Sequence, residues 1–267
     1  MQEIIKETGL TMHHQTLRKV LVKNDLFSCK VVHTQYVSPL NKRQRRKWYD
    51  LYGEWNVEQW KMVLFSDECA FKLQKAQGNL RVIREKRQGY NPAYTKPRFK
   101  QVGTKIHVWG IISKRGVGPL IFLDSTVTKD TYMELLDDVL IDYIEELEHH
   151  YGQEFIFQHD NAPAHDAIQI NGREYEHESV IGWFQECQIQ RLYHPGNSPD
   201  LNAIENLWDI VDNGLRKQYG TTDISEMKKR IEKEWYAIPQ ETVLNLYRSM
   251  PRRAVQLKQN KYFPIDY

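Results

Sequence analysis

The chain has 267 residues, of which 40% are hydrophobic and 27% are charged, with a net charge of +2. This length predicts one large domain, or a medium domain with a small appendage, whose core needs no disulfides. The sequence has no apolar run near the roughly 18 residues of a membrane span, no signal peptide, and no disulfide or zinc pattern among its three cysteines. We therefore expect a soluble intracellular protein with no membrane partner.

The charge is distributed unevenly along the chain. Residues 1–50 contain ten Lys and Arg against four Asp and Glu, a net charge of +6, which leaves −4 for the remainder. A basic arm beside a mildly acidic body is typical of a polyanion-binding segment next to a site that uses carboxylates. A solvated basic helix would give the same pattern.

Two short helices are predicted at the beginning of the chain, over residues 2–8 and 12–23, with Gly9 between them. A helix, a turn with glycine and a second helix form the outline of a helix-turn-helix, which places its second helix in a DNA groove. The candidate DNA-contacting side chains on the second helix are His14, Gln15, Arg18 and Lys19. Because no third helix precedes this pair, we interpret residues 1–35 as a partial helix-turn-helix.

Residues 36–58 are predicted to form a basic linker that consists mainly of one helix. Ser38 as N-cap and Pro39 at the first helical position mark its start, and it runs to about Gly53. Its basic cluster consists of Lys42, Arg43, Arg45, Arg46 and Lys47. These side chains could contact DNA phosphates, with a solvated helix face as the alternative, and the segment is interpreted as a linker.

Residues 59–267 read as one α/β domain. Strands are predicted at 62–65, 80–84, 106–112, 120–123, 155–157 and 189–193, and helices at 131–147, at 180–187 and from 202 to about 260. This order favours a mixed sheet, of about five strands, with helices on both faces.

Three acids stand out by their positions. Asp67 and Asp160 each follow a buried strand, and Glu205 lies in the first turn of a helix. If the two strands are adjacent and parallel, the two aspartates meet at the edge where open α/β sheets bind ligands. Carboxylates suit two Mg²⁺ ions roughly 3.5–4 Å apart, which stabilise the attacking and leaving oxygens of a phosphodiester.

Each of these acids also has a structural interpretation. Asp67 and Asp160 could form turns at strand ends. Glu205 could close a capping box with Asn202, three residues before it. On these grounds alone, the structural and the catalytic interpretations both remain open.

Neighbouring acids provide alternatives to this set. Asp209 and Asp212 share the predicted helix face of Glu205, so either could replace it as a ligand. Glu68 should point away from Asp67, because neighbours in a strand alternate between faces.

Other conspicuous side chains have two interpretations. Arg252 and Arg253 could touch DNA or end a solvated helix. The tryptophans, which include Trp109, Trp183, Trp208 and Trp235, are expected in the core rather than as platforms for bases.

Several segments, in this order, resemble the mariner superfamily of DDE transposases, in its Tc-type branch. The segments are WKMVLFSDE at 60–68, VWGIIS at 108–113, HDNAPAH at 159–165 and SPDLNAIENLW at 198–208, with shorter matches at 238–240 and 249–253. The resemblance spans residues 40–255, and several strings in register are far more specific than one.

The resemblance implies an RNase H-like fold, a catalytic triad of Asp67, Asp160 and Glu205, and two bound Mg²⁺ or Mn²⁺ ions. It implies a DNA transposase that cleaves transposon ends at terminal inverted repeats and joins them to target DNA at TA dinucleotides. It further implies a homodimer or larger synaptic complex and a nuclear location. The alternative is a non-catalytic or decayed DNA-binding derivative that keeps the fold.

Overall fold

The computed structural model describes residues 13–24, 37–73, 104–124, 128–160, 180–217, 221 and 223–266. They belong to two compact units, residues 1–36 and residues 37–267. The predicted helix at 2–8 and the predicted strand at 80–84 lie outside the described residues. Within the described residues, no helix is both long enough and apolar enough to cross a membrane.

The described part of the first unit is a single helix, α1, over His14–Lys23. His13 caps it, because a ring nitrogen of this residue accepts the backbone N–H of Gln15. Leu17 is buried, whereas the side chains of Gln15, Arg18 and Lys19 are exposed. The helix thus begins two residues after the predicted start at residue 12.

The second unit opens with the basic helix α2, over Pro39–Tyr52, followed by the single turn α3 at Val57–Trp60. As predicted, Ser38 is the N-cap of α2, and its hydroxyl accepts the backbone N–H of Asn41 at 3.1 Å. Trp48 is fully buried and stacks on Trp60 with 5.4 Å between ring centroids. Because its inner face is buried in this way, α2 belongs to the main unit and is not a separate linker.

The centre of the second unit is a mixed sheet of five strands in the order β3-β2-β1-β4-β5. The strands are β1 at Val63–Lys72, β2 at Lys105–Ser113, β3 at Gly116–Leu123, β4 at Ile156–Gln158 and β5 at Gln190–Arg191. β1 is antiparallel to β2 and parallel to β4, β2 is antiparallel to β3, and β4 is parallel to β5. β1 is longer than predicted because β2 pairs with it as far as Lys72. Asp67 therefore lies within this strand, not at its end.

Helices cover the sheet. They are α4 at Lys129–Leu135, a π-helical turn at Leu136–Leu140, α5 at Ile141–Tyr151, α6 at Val180–Glu186, a 3₁₀ turn at Pro199–Leu201, α7 at Glu205–Lys217, α8 at Ile224–Tyr236 and α9 at Gln240–Gln259. The helix predicted over 131–147 is thus a longer element, from 129 to 151, that contains a π-helical turn.

The alternation of β1 divides the core into two layers. Val63 and Phe65 pack on one face, against the apolar sides of α7, α8 and α9. Leu64 packs on the other face, with Trp109 and Phe157, against α4, α5 and α6. The predicted mixed sheet with helices on both faces is confirmed, and the four tryptophans expected in the core are buried there.

Candidate active site

The pairing of β1 with β4 brings the two aspartates to the same place. Phe65 is the partner of Gln158 in this parallel pair. Asp67 lies two residues after Phe65, and Asp160 lies two residues after Gln158. Because the two strands are parallel, both aspartates lie at the same edge of the sheet. The convergence expected from the sequence therefore follows directly from the register.

Glu205 reaches this edge from above the sheet. It is the first residue of α7, whose buried side packs on the same layer as Phe65. The Glu205 carboxyl lies close enough to Asp67 for each group to shift the pKa of the other.

The capping box proposed for Glu205 is not formed. The Asn202 side-chain amide instead donates to the backbone carbonyl of Ser66 at 3.1 Å, and its oxygen accepts the backbone N–H of Ile204 at 3.4 Å. Asn202 thereby ties the chain just before α7 to the residue of β1 that precedes Asp67. The tie helps to hold Glu205 beside Asp67.

The electrostatics of the three acids are those of closely placed carboxylates. The pKa of Asp67 is raised well above its usual range, chiefly by burial and next by repulsion from Glu205, with smaller contributions from Glu68 and Asp160. The pKa of Glu205 is raised by burial, then by Asp209 and by Asp160. Half-buried carboxylates that repel one another are a donor set suited to a hard divalent cation. The residues present therefore fit such an ion.

The three acids are close, but they are not drawn around a single point. No three His, Cys, Asp or Glu side chains within the described ranges stand together at metal-coordinating spacing. Asp67 and Glu205 each shift the pKa of the other, and the charge of Asp160 raises the pKa of both.

The neighbouring acids are placed differently from the three. Asp212 forms an ion pair with Arg216 at 2.6 Å, and Asp209 is exposed and acts on Glu205 through its charge. Glu68 is the strand partner of Trp109, which packs in the layer opposite to that of α7. Directly paired residues point to the same face, so Glu68 points away from Asp67 as predicted.

Two contacts at the site were not anticipated from the sequence. One is the tie from Asn202 to Ser66, and the other is a hydrogen bond from the Trp208 indole N–H to Oδ2 of Asp67 at 3.0 Å. A signal for the second contact existed, because Trp208 follows Glu205 by three residues and so shares its helix face.

His159 and Tyr132 form a buried pair beside Asp160. The Tyr132 hydroxyl and Nδ1 of His159 are 3.0 Å apart, and the two rings are nearly parallel. This contact fixes the residue before Asp160 in the core. His159 is therefore part of the core that supports Asp160.

The structure corrects the prediction that Arg45 contacts DNA. Arg45 is fully buried, and its guanidinium donates to both carboxylate oxygens of Asp200, at 2.7 and 2.5 Å. It also donates to the backbone carbonyls of Tyr262 and Phe263. The helical period explains the error, because Arg45 and Trp48 lie on the same inward face of α2.

The other cations of the α2 cluster remain at the surface. Arg43, Arg46 and Lys47 are exposed, and the Lys47 ammonium lies 4.4 Å from the centre of the Tyr193 ring. Lys42 is half-buried, with its ammonium 4.2 Å from the centre of the Phe263 ring.

The two arginines near the end of α9 also differ in their exposure to solvent. Arg253 is buried and donates to the carbonyl of Asp200 and to the side chain of Asn206. Arg252 is exposed. Arg253 is therefore part of the framework around α7, and Arg252 is the one of the two that is accessible to a partner.

Comparisons with known proteins agree with this arrangement. The family described as DDE superfamily endonuclease matches residues 62–228, a range that contains all three acids. The transposase of the element Tc1 from Caenorhabditis elegans is 29% identical over 242 residues, which are 90% of this chain and 82% of that protein. The Tcb1 transposase of Caenorhabditis briggsae is 28% identical over 253 residues, 95% and 88% of the two chains.

Solved structures of Mos1 transposase share the fold. Its paired-end complex with the left transposon end has a TM-score of 0.72 at 17% identity, covering 99% of this chain and 78% of that chain. Its catalytic domain, solved with raltegravir and Mn, has a TM-score of 0.63 at 14% identity, covering 87% and 100%. The fold is RNase H-like, as the resemblance implied. By sequence and fold together, this chain belongs to the DDE superfamily of endonucleases and is a mariner-type DDE transposase.

Proposed function

We propose that Asp67, Asp160 and Glu205 are the catalytic triad of this transposase and hold two Mg²⁺ or Mn²⁺ ions. The observation that carries the proposal is the β1–β4 register, which brings Asp67 and Asp160 to one edge of the sheet, with Glu205 near enough to raise the pKa of Asp67. A set of oxygen donors suits hard cations. The catalytic domain of Mos1 has been solved with Mn and with Mg, which supports a divalent ion here.

Bound ions of this kind would help to activate the attacking oxygen and to stabilise charge on the leaving oxygen. The residues of the chain would set the ligands in place. The β1–β4 register holds Asp160 beside Asp67, and Asn202 ties the start of α7 to β1. Glu205 lies at the first turn of α7, on the side of the sheet that Asp67 faces.

The reaction we propose is cleavage of DNA at the ends of a mobile element, followed by attack of the freed 3′ hydroxyl on target DNA at TA dinucleotides. We propose that His14, Gln15, Arg18 and Lys19 of α1 read the terminal inverted repeats. The exposed cations Arg43, Arg46 and Lys47 of α2 would bind phosphates. Nuclear DNA is the expected substrate, which makes the nucleus the expected location.

A homodimer or larger synaptic complex is the assembly we propose. Joining two ends of an element to one target requires both ends to be held together. The paired-end and strand-transfer complexes solved for Mos1 transposase support such an assembly.

The test uses matched changes of carboxylate to amide. The DNA that flanks the coding sequence supplies candidate ends, placed on a supercoiled plasmid and incubated with the protein and Mn²⁺. Asp67→Asn, Asp160→Asn and Glu205→Gln should each reduce cleavage and strand joining at least about 100-fold, because each removes a charged ligand. Asp209→Asn and Asp212→Asn are the controls on the same helix as Glu205, and both should cleave like the wild type.

The outcomes separate the alternatives. Loss of cleavage in Asp209→Asn or Asp212→Asn, with Glu205→Gln active, would move the third ligand along α7. DNA binding without cleavage by the wild-type chain, in both Mn²⁺ and Mg²⁺, would favour the non-catalytic derivative.

A further inference from the structure

We propose that Trp208 is a positioning residue of the active site, whose indole N–H orients the Asp67 carboxylate for cation binding. The proposal rests on the proposed triad. Nε1 of Trp208 donates to Oδ2 of Asp67 at 3.0 Å. Because Trp208 lies one helical turn after Glu205, α7 supplies both a ligand and the donor that holds a second ligand.

The sheet leaves a space for this indole beside Asp67. Asp67 and Gly110 are direct partners in the β1–β2 pairing, so a side chain at position 110 would point to the same face as the carboxylate. A Cβ atom added to Gly110 would lie 2.7 Å from Cη2 of Trp208. The space that a larger residue opposite Asp67 would fill is therefore occupied by the Trp208 ring.

Two aromatic rings pack against the indole of Trp208. Its ring stacks on that of Trp235, with 4.9 Å between centroids and 22° between planes, and Phe71 meets it edge-on at 6.2 Å. Trp235 is itself fixed, because its N–H donates to the carbonyl of Gly118 at 3.0 Å. Trp208 is only 5% exposed, so the direction of its N–H is set by the core.

The chemistry of indole fits this role. The indole N–H only donates, so it occupies one acceptor site on Oδ2 and leaves the remaining carboxylate lone pairs for a cation. A fixed donor restricts rotation of the carboxylate. Loss of a hydrogen bond to a metal ligand typically costs about 10- to 100-fold in metal affinity.

The test compares Trp208→Phe with Trp235→Phe. Both changes remove an indole N–H and part of a ring from the same stacked pair, but only the first removes the donor to Asp67. Mn²⁺ binding is measured without DNA, by the electron paramagnetic resonance of the free ion. We expect Trp208→Phe to bind Mn²⁺ about 10- to 100-fold more weakly and Trp235→Phe to stay within about twofold of the wild type.

A second variant separates the hydrogen bond from the packing. β-(3-Benzothienyl)alanine, introduced at position 208 alone, keeps the two-ring shape and replaces N–H with sulfur. It should lose the same Mn²⁺ affinity as Trp208→Phe while melting near the wild-type temperature. Its DNA cleavage should return towards the wild-type rate at saturating Mn²⁺, because only the orientation of the ligand is lost.

Each outcome bears on a different claim. Wild-type Mn²⁺ affinity in the benzothienyl variant would overturn the positioning role and leave the triad intact, as would equal losses in Trp208→Phe and Trp235→Phe. A wild-type chain that neither binds Mn²⁺ nor cleaves DNA would overturn the triad itself, and this inference with it.

Discussion

At the scale of single residues, Asp67 occupies a position that is unfavourable for a charge. It is half-buried, the charge of Glu205 repels it, and the Trp208 N–H opposes the rise of its pKa only in part. An acid whose pKa is raised by folding costs stability as the pH rises above its ordinary value of 3.8. The site therefore lowers the stability of the cation-free protein at neutral pH.

This cost predicts that Asp67→Asn is more stable than the wild type when no divalent cation is present. At pH 7 the free energy of unfolding of Asp67→Asn should be higher than that of the wild type, because the amide removes the charge whose burial is unfavourable. The gain should shrink as the pH falls through 3.8, because below this pH the wild-type carboxyl is protonated in both the folded and the unfolded state. Urea denaturation in the presence of a chelator, at several pH values, measures this difference in the free energy of unfolding. Asp212→Asn is the control and should show no gain, so a less stable Asp67→Asn would contradict the argument.

His194 gives a pH dependence of its own. It is buried beside Asp160 and Asp200, and burial lowers its pKa from 6.5 to about 4. Between these values the unfolded chain binds a proton that the folded chain excludes, so its contribution to stability is complete above pH 6.5 and is lost as the pH falls.

We expect this one residue to account for a loss of up to about 3 kcal/mol between pH 6.5 and 4. The His194→Gln variant should therefore lose stability less steeply than the wild type over that range. His149→Gln, a change of an exposed histidine on α5, is the control. Urea denaturation in cation-free buffer at pH 7, 5.5 and 4.5 measures the slopes, and parallel slopes for His194→Gln and the wild type would argue against the assignment.

At the scale of elements, a buried network joins α2, α9 and the turn that leads into α7. Asp200 lies in the 3₁₀ turn before α7, accepts Arg45 through both carboxylate oxygens, and accepts the backbone N–H of Ile265. Arg253 donates to the carbonyl of Asp200 and to Asn206, the neighbour of Glu205. The helix expected to bind DNA thus also holds the active-site helix in place.

Removing one partner of this buried pair should be costly. Arg45→Met and Asp200→Asn should each lower the free energy of unfolding by about 3–5 kcal/mol, because the remaining partner keeps an uncompensated buried charge or loses its bonds. The double variant should lose less than the sum of the two.

The control for the buried pair is a surface pair on the same helix. Arg46 and Asp50 are exposed and 3.9 Å apart, so Arg46→Met should change stability by less than about 1 kcal/mol. Urea denaturation measures all four variants. Equal effects of Arg45→Met and Arg46→Met would contradict the buried network.

At the scale of the whole molecule, the positive charge is concentrated near the start of the chain. The fold buries one cation of the α2 cluster and leaves others exposed to solvent. Of the α2 cluster, Arg45 turns inward, and Arg43, Arg46 and Lys47 face solvent. If the exposed cations bind phosphates, they should release counterions when DNA binds.

The dependence of DNA affinity on salt concentration tests whether the exposed cations of α2 bind DNA phosphates. Replacing Arg43, Arg46 and Lys47 by Ala should weaken DNA binding for all sequences and reduce the slope of log affinity against log salt by about 0.9 for each phosphate that is no longer neutralised. The control replaces Lys229 and Lys233, which are exposed on α8. Fluorescence anisotropy at several salt concentrations measures the slopes, and an equal reduction in both variants would place the DNA-binding face elsewhere.

Much of the fold could be predicted because its signals are local. Ser38 and Pro39 predict the start of α2 from capping chemistry, and apolar runs predict the strands that carry the acids. Glu205 could be placed at a helix start from the sequence, and the motif strings grouped it with Asp67 and Asp160. These features need no knowledge of distant residues.

Other features were decided only by tertiary structure. β1 extends past Asp67 because β2 pairs with it, although the two strands are distant in sequence. Arg45 is identical in type to its basic neighbours, and only the position of Asp200, 155 residues away, makes it structural. Trp208 meets Asp67 across 141 residues.

The amino-acid sequence by itself determined the family and the order of the elements, and it predicted the three acids, because capping, periodicity and motif spacing act within a few residues. The tertiary structure alone decided which cation is buried, how close Glu205 lies to Asp67 and which side chain donates a hydrogen bond to Asp67. Those outcomes depend on long-range packing, in which a side chain's role is set by the partner that the fold brings to it.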